Sequence, residues 1–343
     1  IGIDSNESLK RALRLDCRGI KFDPNGNVIS KTYHKFFNVN QKEETQFANI
    51  PWHNKHHILE KMDGSMVSPF MVGDHLRWGT KMGITDTSMF AETFTVENPE
   101  YIKAAMFFID QGKTPIFEWC SRKSRIVIDY PVDQLVLTAV RDNFTGEYTD
   151  YEILKEVAAE LGIKAVVAHD ITENLMQTIQ GWTDAEGVVV RFDNGHMVKI
   201  KAEQYMLQHK SKDAITREKN VIGYIVNNQL DDVMPFLTAE DRARITRFAD
   251  TFYINVQSKA SAITVEFNKL YALYKGDVKE FAVRGSQELD GAVRGIMFKK
   301  WREPDTDIFD ELYKAVSKNL GSQAKVDEVR WIWGDLRWDY EFE

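Results

Sequence analysis

Residues 60–65 read Glu60-Lys61-Met62-Asp63-Gly64-Ser65, and the fold and chemistry of the chain turn on that stretch. Lys, Asp, Gly and Ser often meet in turns, so alone it reads as a surface turn. A lysine followed by x-Asp-Gly is also a pattern in which the amine serves as a nucleophile on a nucleotide. What surrounds it decides between the two. An apolar run, Met66 to Val72, follows directly, then Gly73-Asp74, a two-residue hairpin signal, then a returning strand from His75 to Lys81. A two-residue loop sets Val72 opposite His75, and counting back sets Met66 opposite Lys81. Lys81 is then expected beside Lys61.

A second hairpin carries more charge. Glu186 to Arg191 and Met197 to Lys201 flank Asp193-Asn194-Gly195. With Asn194-Gly195 as the loop, Val190 faces Lys199, Val188 faces Lys201, and Glu186 follows on the same face. Side chains alternate along a strand, so Lys199 and Lys201 project together. The triple Val188-Val189-Val190 requires that one face be covered. Between the hairpins, Thr114 to Cys120 reads as an apolar strand with one carboxylate, Glu118, which costs energy unless paired or hydrogen-bonded. A buried salt bridge and a functional carboxylate both fit it. Upstream, Arg18 and Lys35 lie in strand-like segments around the turn Asp23-Pro24-Asn25-Gly26, as solvated cations or as phosphate binders.

Helical surface is expected over 85–112, with Phe90, Phe94, Ala104, Phe107 and Phe108 as core candidates. Strands are expected over 125–130, 135–141 and 163–168. A capping box at Thr149-Asp150-Tyr151-Glu152 opens a helix that ends near Gly162, and a short helix fits 172–180. From about residue 207 the pattern turns helical. Thr238-Ala239-Glu240-Asp241 starts a long helix toward Tyr274, and others fit 289–302, 307–319 and 325–333. Trp331, Trp333 and Trp338 read as packing residues. The expected fold class is α+β: a domain of antiparallel sheets flanked by helices over 1–206, then an all-α C-terminal domain over 207–343.

Composition narrows the partners. The charged fraction of 28% and hydrophobic fraction of 43% are those of a soluble globular protein. The net charge of -8 argues against a protein that coats nucleic acid, while allowing one basic pocket. Cys17 and Cys120 stand in no metal-type spacing and read as reduced packing residues of a cytoplasmic protein. For His53, His56 and His57, no nearby Cys or carboxylate completes a ligand set, so a polar loop is expected there. No apolar run is long enough to span a bilayer and no signal peptide is visible. Neither G-x-x-x-x-G-K-[ST] nor G-x-G-x-x-G occurs. What the pieces share is phosphate chemistry: Arg18, Lys35, Lys61, Lys81, Lys199 and Lys201 as cations, with Glu118 and Glu186 suited to Mg²⁺ or a ribose hydroxyl.

Lys61-Met62-Asp63-Gly64-Ser65, Phe117-Glu118, Glu186-Gly187 and Lys199-Ile200-Lys201 resemble, in order, nucleotidyltransferase motifs I, III, IV and V of polynucleotide ligases and mRNA-capping enzymes. Cys17-Arg18-Gly19-Ile20, Lys35-Phe36-Phe37-Asn38, Lys81, Arg125-Ile126-Val127 and Thr145-Gly146-Glu147-Tyr148 narrow the resemblance to the bacteriophage RNA ligase 1 family, over about residues 14–206. The resemblance implies an ATP-dependent RNA ligase using Mg²⁺ or Mn²⁺. Lys61 takes AMP from ATP, AMP passes to a 5′-phosphate RNA end, and a 3′-hydroxyl displaces it. It implies Arg18 and Lys35 on the β- and γ-phosphates, Glu118 on the ribose, Glu186 on the metal, Lys199 and Lys201 on the α-phosphate, and Lys81 in the later steps. Phe36, Phe37 or Phe117 would stack on adenine. A helical C-terminal domain implies contact with structured RNA such as tRNA, and RNA repair, by a monomer in the cytoplasm (a host's, if phage-encoded). Asp231 of Asp231-Asp232 reads as a second metal contact or as half of a solvated acidic pair. Two features depart from the family: much of the segment expected before the first motif is lacking, and the C-terminal third matches loosely. The rival readings are a DNA ligase or capping guanylyltransferase, and a non-catalytic RNA-binding module.

Overall fold

The apolar alternation of the N-terminal part closes into sheets, and the later periodic segments form helices. The structure, a computed structural model, describes residues 12–122, 126–171, 173–285, 289 and 291–340. The chain divides into two compact units, one reaching His209 and one starting at Lys210.

The strands of the first unit are β1 (Lys21–Phe22), β2 (Val28–Ser30), β3 (Phe37–Asn38), β4 (His56–Glu60), β5 (Ser65–Val72), β6 (His75–Gly79), β7 (Lys113–Cys120), β8 (Gln134–Asp142), β9 (Ala168–His169), β10 (Gly187–Phe192) and β11 (Met197–Lys201). They make a β1–β2 ribbon, a five-stranded sheet in the order β3-β11-β10-β4-β9 and a four-stranded sheet in the order β6-β5-β7-β8. Pairing is antiparallel except between β3 and β11, which run parallel. The α+β class is as expected, with that one parallel pair added.

The four-stranded sheet is buried on both faces. Phe117, Trp119, Leu135 and Leu137 pack under the helices Asp86–Glu97, Pro99–Ile109 and Tyr151–Glu160, through Ala91, Ala104, Phe108 and Leu154. Phe90 and Phe107, expected in the core, are exposed. Each precedes a buried residue, Ala91 or Phe108, and successive helical residues cannot share one face. On the sheet's other side, Cys120 and Val136 meet Leu59, Met62 and Val166, which ties the two sheets together. Cys17, by contrast, is exposed rather than packed.

Both hairpins differ from the sequence reading in register. Val72 does pair with His75, but β5–β6 pairing runs only to Ser68 and Gly79. Met66 pairs instead with Glu118 of β7. Lys81 sits in a turn between Thr80 and Gly83, whose backbones bond each other at 2.8 and 3.2 Å. In the second hairpin three residues, not two, form the loop: the Phe192 N–H donates to the His196 carbonyl at 2.9 Å, with Gly195 at φ 80°. The register shifts by one, so that Val189 pairs with Lys199 and Gly187 with Lys201. Lys199 and Lys201 still share a face, because the shift leaves their own spacing unchanged.

Smaller differences follow local chemistry. Asp150, not Thr149, caps Tyr151–Glu160, its carboxylate accepting from the Glu152 N–H at 2.8 Å. The strand expected over 163–168 shrinks to β9, and residues 126–130 are irregular. Arg125 and Thr172 lie outside the described residues.

The second unit is helical. Thr238 caps the 35-residue helix Ala239–Leu273, accepting from the Asp241 N–H at 3.1 Å. Ile245, Phe248, Phe252, Val256, Ala260, Ile263 and Phe267 recur at three- and four-residue steps and face one core. Trp333 and Trp338 are buried in that core and Trp331 packs against it, as expected of packing residues. Arg330 and Glu218, both nearly inaccessible, form a bidentate pair at 2.9 and 2.6 Å. No described helix is long and apolar enough to cross a membrane.

Candidate active site

Lys61 leaves the end of β4 with its N–H bonded to the Gly187 carbonyl at 2.9 Å, which fixes it across the start of β10. There its ammonium lies 2.6 Å from Glu186 Oε2, while Lys201 Nζ lies 2.9 Å from Glu186 Oε1. Glu186 is only 4% exposed. A carboxylate so buried needs compensation, and two ammonium groups supply it. In the observed register strict alternation would turn Glu186 to the face opposite Lys199 and Lys201, and the break at Gly187, φ 134°, brings it back to them; a Cβ there would sit 2.1 Å from the Ile200 carbonyl oxygen. Only glycine fits that approach.

The rest of the Lys61 stretch is structural support. Asp63 is buried and accepts from the Val127 N–H at 2.8 Å, the Ile128 N–H at 2.7 Å and the Tyr205 hydroxyl at 2.7 Å. Its own N–H donates to the Tyr130 hydroxyl at 2.9 Å. Gly64 passes so close to β7 that a Cβ would sit 2.4 Å from the Trp119 oxygen and 3.0 Å from Glu118 Cγ. Gly64→Ala is therefore expected to push β5 from β7 and cost about 1–3 kcal/mol of stability, read from a denaturant midpoint.

Glu118 faces this corner. Desolvation pushes its carboxyl up to about 8; the Lys61 ammonium opposes the shift, while Glu186 and Asp63 add to it. Between the ordinary carboxylate range and about 8 the folded protein holds a proton that the unfolded chain has lost. Stability should therefore fall as pH rises through that window. Glu118→Gln in metal-free buffer is expected to gain in melting temperature over the unaltered protein as pH is raised from 5 to 8; a constant difference would contradict this.

The cations converge. Lys199 is lowered to about 8, first by desolvation and then by repulsion from Lys61, Lys35, Lys201 and Arg18. Lys35 is lowered by desolvation and then by Arg18 and Lys81. Such crowding needs an anion to balance it. A cleft of about 370 Å³ opens there, lined by Arg18, Lys61, Lys81, Glu118 and Lys199 and floored by Leu59, Val189 and Met197. Glu186 and Lys201 stand behind Lys61, and Lys35 stands beside Arg18 and Lys81.

Of the three aromatic candidates, Phe36 lines the cleft, 5.2 Å from Lys199 Nζ. Phe37 is overlain by Lys35 and Lys42, and Phe117 is wholly buried against Trp78 and Tyr101. Asp231 belongs to the second unit, exposed on the helical turn Leu230–Val233. The fold does bring carboxylates to one histidine, against the sequence reading: His57, Asp150 and Asp193 cluster within 4.8 Å. Lys55 already lies 3.4 and 3.6 Å from the two aspartates. Tyr33, Thr138 and Arg191 also line the cleft, and the sequence reading did not single them out.

The family model of RNA ligases matches residues 16–214, more than half of the chain. The chain belongs to the RNA ligase 1 family. Its enzyme class is accordingly that of the RNA ligases. It is 30% identical over 296 residues to a Thermovibrio ammonificans protein described as "Putative RNA ligase", covering 80% of this chain and 74% of that one. It is 21% identical over 312 residues to a "Putative bifunctional polynucleotide kinase/RNA ligase" of Autographa californica nuclear polyhedrosis virus, covering 80% of this chain and 43% of that protein. Among solved structures, an archaeal ATP-dependent RNA ligase superposes at TM-score 0.44 and 16% identity, over 58% of this chain and 56% of that one. The chain thus spans less than two thirds of the viral relative and of that structure.

Proposed function

We propose that the protein joins RNA ends at the expense of ATP, with Lys61 carrying AMP between the two. The observation that carries this is the placement of Lys61 on buried Glu186, at one end of a cleft that gathers further cations. A family of RNA ligases and a cleft lined by both cationic and apolar side chains, Arg18, Lys81 and Lys199 with Leu59, Val189 and Met197, support the same reading.

In this reading Lys61 Nζ bonds the α-phosphorus of ATP, the bond to the bridging oxygen breaks, and pyrophosphate leaves. An attacking amine must be neutral, so the proton on Lys61 has to depart, and Glu186 Oε2 is the acceptor in contact with it. Lys199 and Lys201 would hold the α-phosphate, Arg18 and Lys35 the outer phosphates, and Glu118 a ribose hydroxyl. AMP then moves to an RNA 5′-phosphate, and a 3′-hydroxyl displaces it; Lys81 is assigned to these later steps. Each transfer depends mainly on alignment and charge neutralisation.

Glu60 lines the cleft and Glu186 stands behind Lys61; the oxygen of Glu60, and that of Glu186 freed when Lys61 is consumed, would hold Mg²⁺ or Mn²⁺ arriving with ATP. When bound, such an ion neutralises phosphate charge. For the second unit we propose contact with RNA, and for the protein as a whole RNA repair, with tRNA as a candidate substrate, on the family resemblance alone.

The test is incubation with α-³²P-ATP and, separately, α-³²P-GTP, followed by peptide mapping and sealing assays on RNA and DNA ends. Label from ATP at Lys61 and joined RNA are expected. Label from GTP, or joined DNA with no joined RNA, would transfer the protein to another branch of the covalent nucleotidyltransferases.

A further inference from the structure

The far end of the cleft from Lys61 holds a charge that nothing in the proposed chemistry uses. Arg191 is 5% exposed and lines the cleft, and neither terminal nitrogen of its guanidinium has a hydrogen-bond partner among the described residues. Arginine remains charged in proteins, so an unpaired buried guanidinium is costly. A ligand that supplies acceptors there would relieve that cost.

Strand geometry says which part of a nucleotide reaches it. Along β10, Gly187 meets Lys61, Val189 pairs with Lys199, and Arg191 pairs with Met197, all on one face. At about 3.4 Å per residue, Arg191 lies roughly 7 Å beyond the Lys199 position and roughly 14 Å from the Lys61 end. Leu59, Val189, Val166 and Met197 give the cleft an apolar wall, and Tyr33, which bonds Thr138, lies near Arg191. Phosphates belong at the lysine end, a flat base belongs against the apolar wall, and Arg191 waits at the edge of that base.

We propose that Arg191 is a base-recognition residue, donating hydrogen bonds to acceptor nitrogens of the purine ring. A guanidinium only donates, so it reads ring nitrogens and not the exocyclic amine of adenine. The assignment rests on the proposed nucleotide chemistry of this cleft. Its signature is a weaker hold on ATP with little change in transfer itself, because the base lies away from the reacting phosphorus.

The test measures self-adenylylation of the full chain with ATP and with 1-deaza-, 3-deaza- and 7-deaza-ATP, for the unaltered protein, Arg191→Met and Arg191→Lys. Arg191→Met should raise KM for ATP about tenfold or more and leave the rate at saturation within about threefold. At least one deaza analogue should be penalised in the unaltered protein and carry no further penalty in Arg191→Met. Arg191→Lys keeps the charge with altered geometry, and its melting temperature and intermediate KM guard against a folding artefact. An unchanged KM in Arg191→Met, or the same analogue penalties with and without the guanidinium, overturns the assignment while the adenylylation reading stands. A defect confined to sealing pre-adenylated RNA would assign Arg191 to the RNA and overturn it equally. Absence of label in the unaltered protein overturns both.

Discussion

Lys61→Ala is expected to lower covalent adenylylation by on the order of 10⁴-fold or more, below detection in a labelling gel. No neighbouring amine replaces it. Lys201 is bound to the opposite oxygen of Glu186, and Lys199 projects from the strand beyond. The variant should nevertheless seal RNA that is already adenylated, since in that step a 3′-hydroxyl attacks and the lysine is not consumed. Retained sealing also distinguishes a lost nucleophile from a lost fold. That control matters because removing Lys61 leaves Glu186 buried with Lys201 as its remaining described ammonium partner. Retained label in Lys61→Ala would sink the assignment.

Arg330→Met is expected to destabilise the helical unit by about 3–5 kcal/mol, the cost of stranding one member of a buried ion pair. Glu218 would be left inaccessible, holding the Trp338 N–H at 3.1 Å and Gln323 Nε2 at 2.6 Å but no guanidinium. Burial would raise the Glu218 carboxyl, yet the hydrogen bonds and charge of Arg330 hold it below the ordinary glutamate range. A depressed carboxyl contributes stability that is whole above its unfolded value, 4.5, and lost as pH falls below it. The unaltered unit should therefore weaken below about pH 4.5, and Arg330→Met should show little of that slope. Chemical denaturation followed by tryptophan emission reads both effects, since Trp333 and Trp338 are buried in the same core. A loss under about 1 kcal/mol would mean the pair is not compensating a buried charge.

Much of the site was legible because its residues are wrong for their surroundings. Glu118 and Glu186 are carboxylates in apolar strands, and Lys199 and Lys201 share a strand face whatever the loop length. Register was not legible. One extra loop residue shifted Val188 and Val190 off their expected partners, and a turn at Thr80 took Lys81 off its strand. Which aromatic reaches the cleft was equally hidden, since Phe36, Phe37 and Phe117 differ only in where the backbone turns them. Asp63 belongs to a legible motif, but its work as the acceptor for three donors depends on a loop and a tyrosine far along the chain. Nothing in the sequence marks Arg191 out, because its burial beside the cleft depends on the fold.

The sharing of Glu186 between two ammonium groups has a consequence for order in time. In the proposed reaction, once Lys61 carries AMP its nitrogen is neutral and a phosphoryl negative charge hangs where a positive one stood. Glu186, once it has passed on the proton it accepted from Lys61, has then lost one of its two counterions and gained a like-charged neighbour, leaving Lys201 shared between them. The loaded Lys61 would thus present a negative charge to whatever enters next, while Arg18, Lys81 and Lys199 still line the cleft. The first reaction would itself switch the pocket from one that repels cations at Lys61 to one that draws them in.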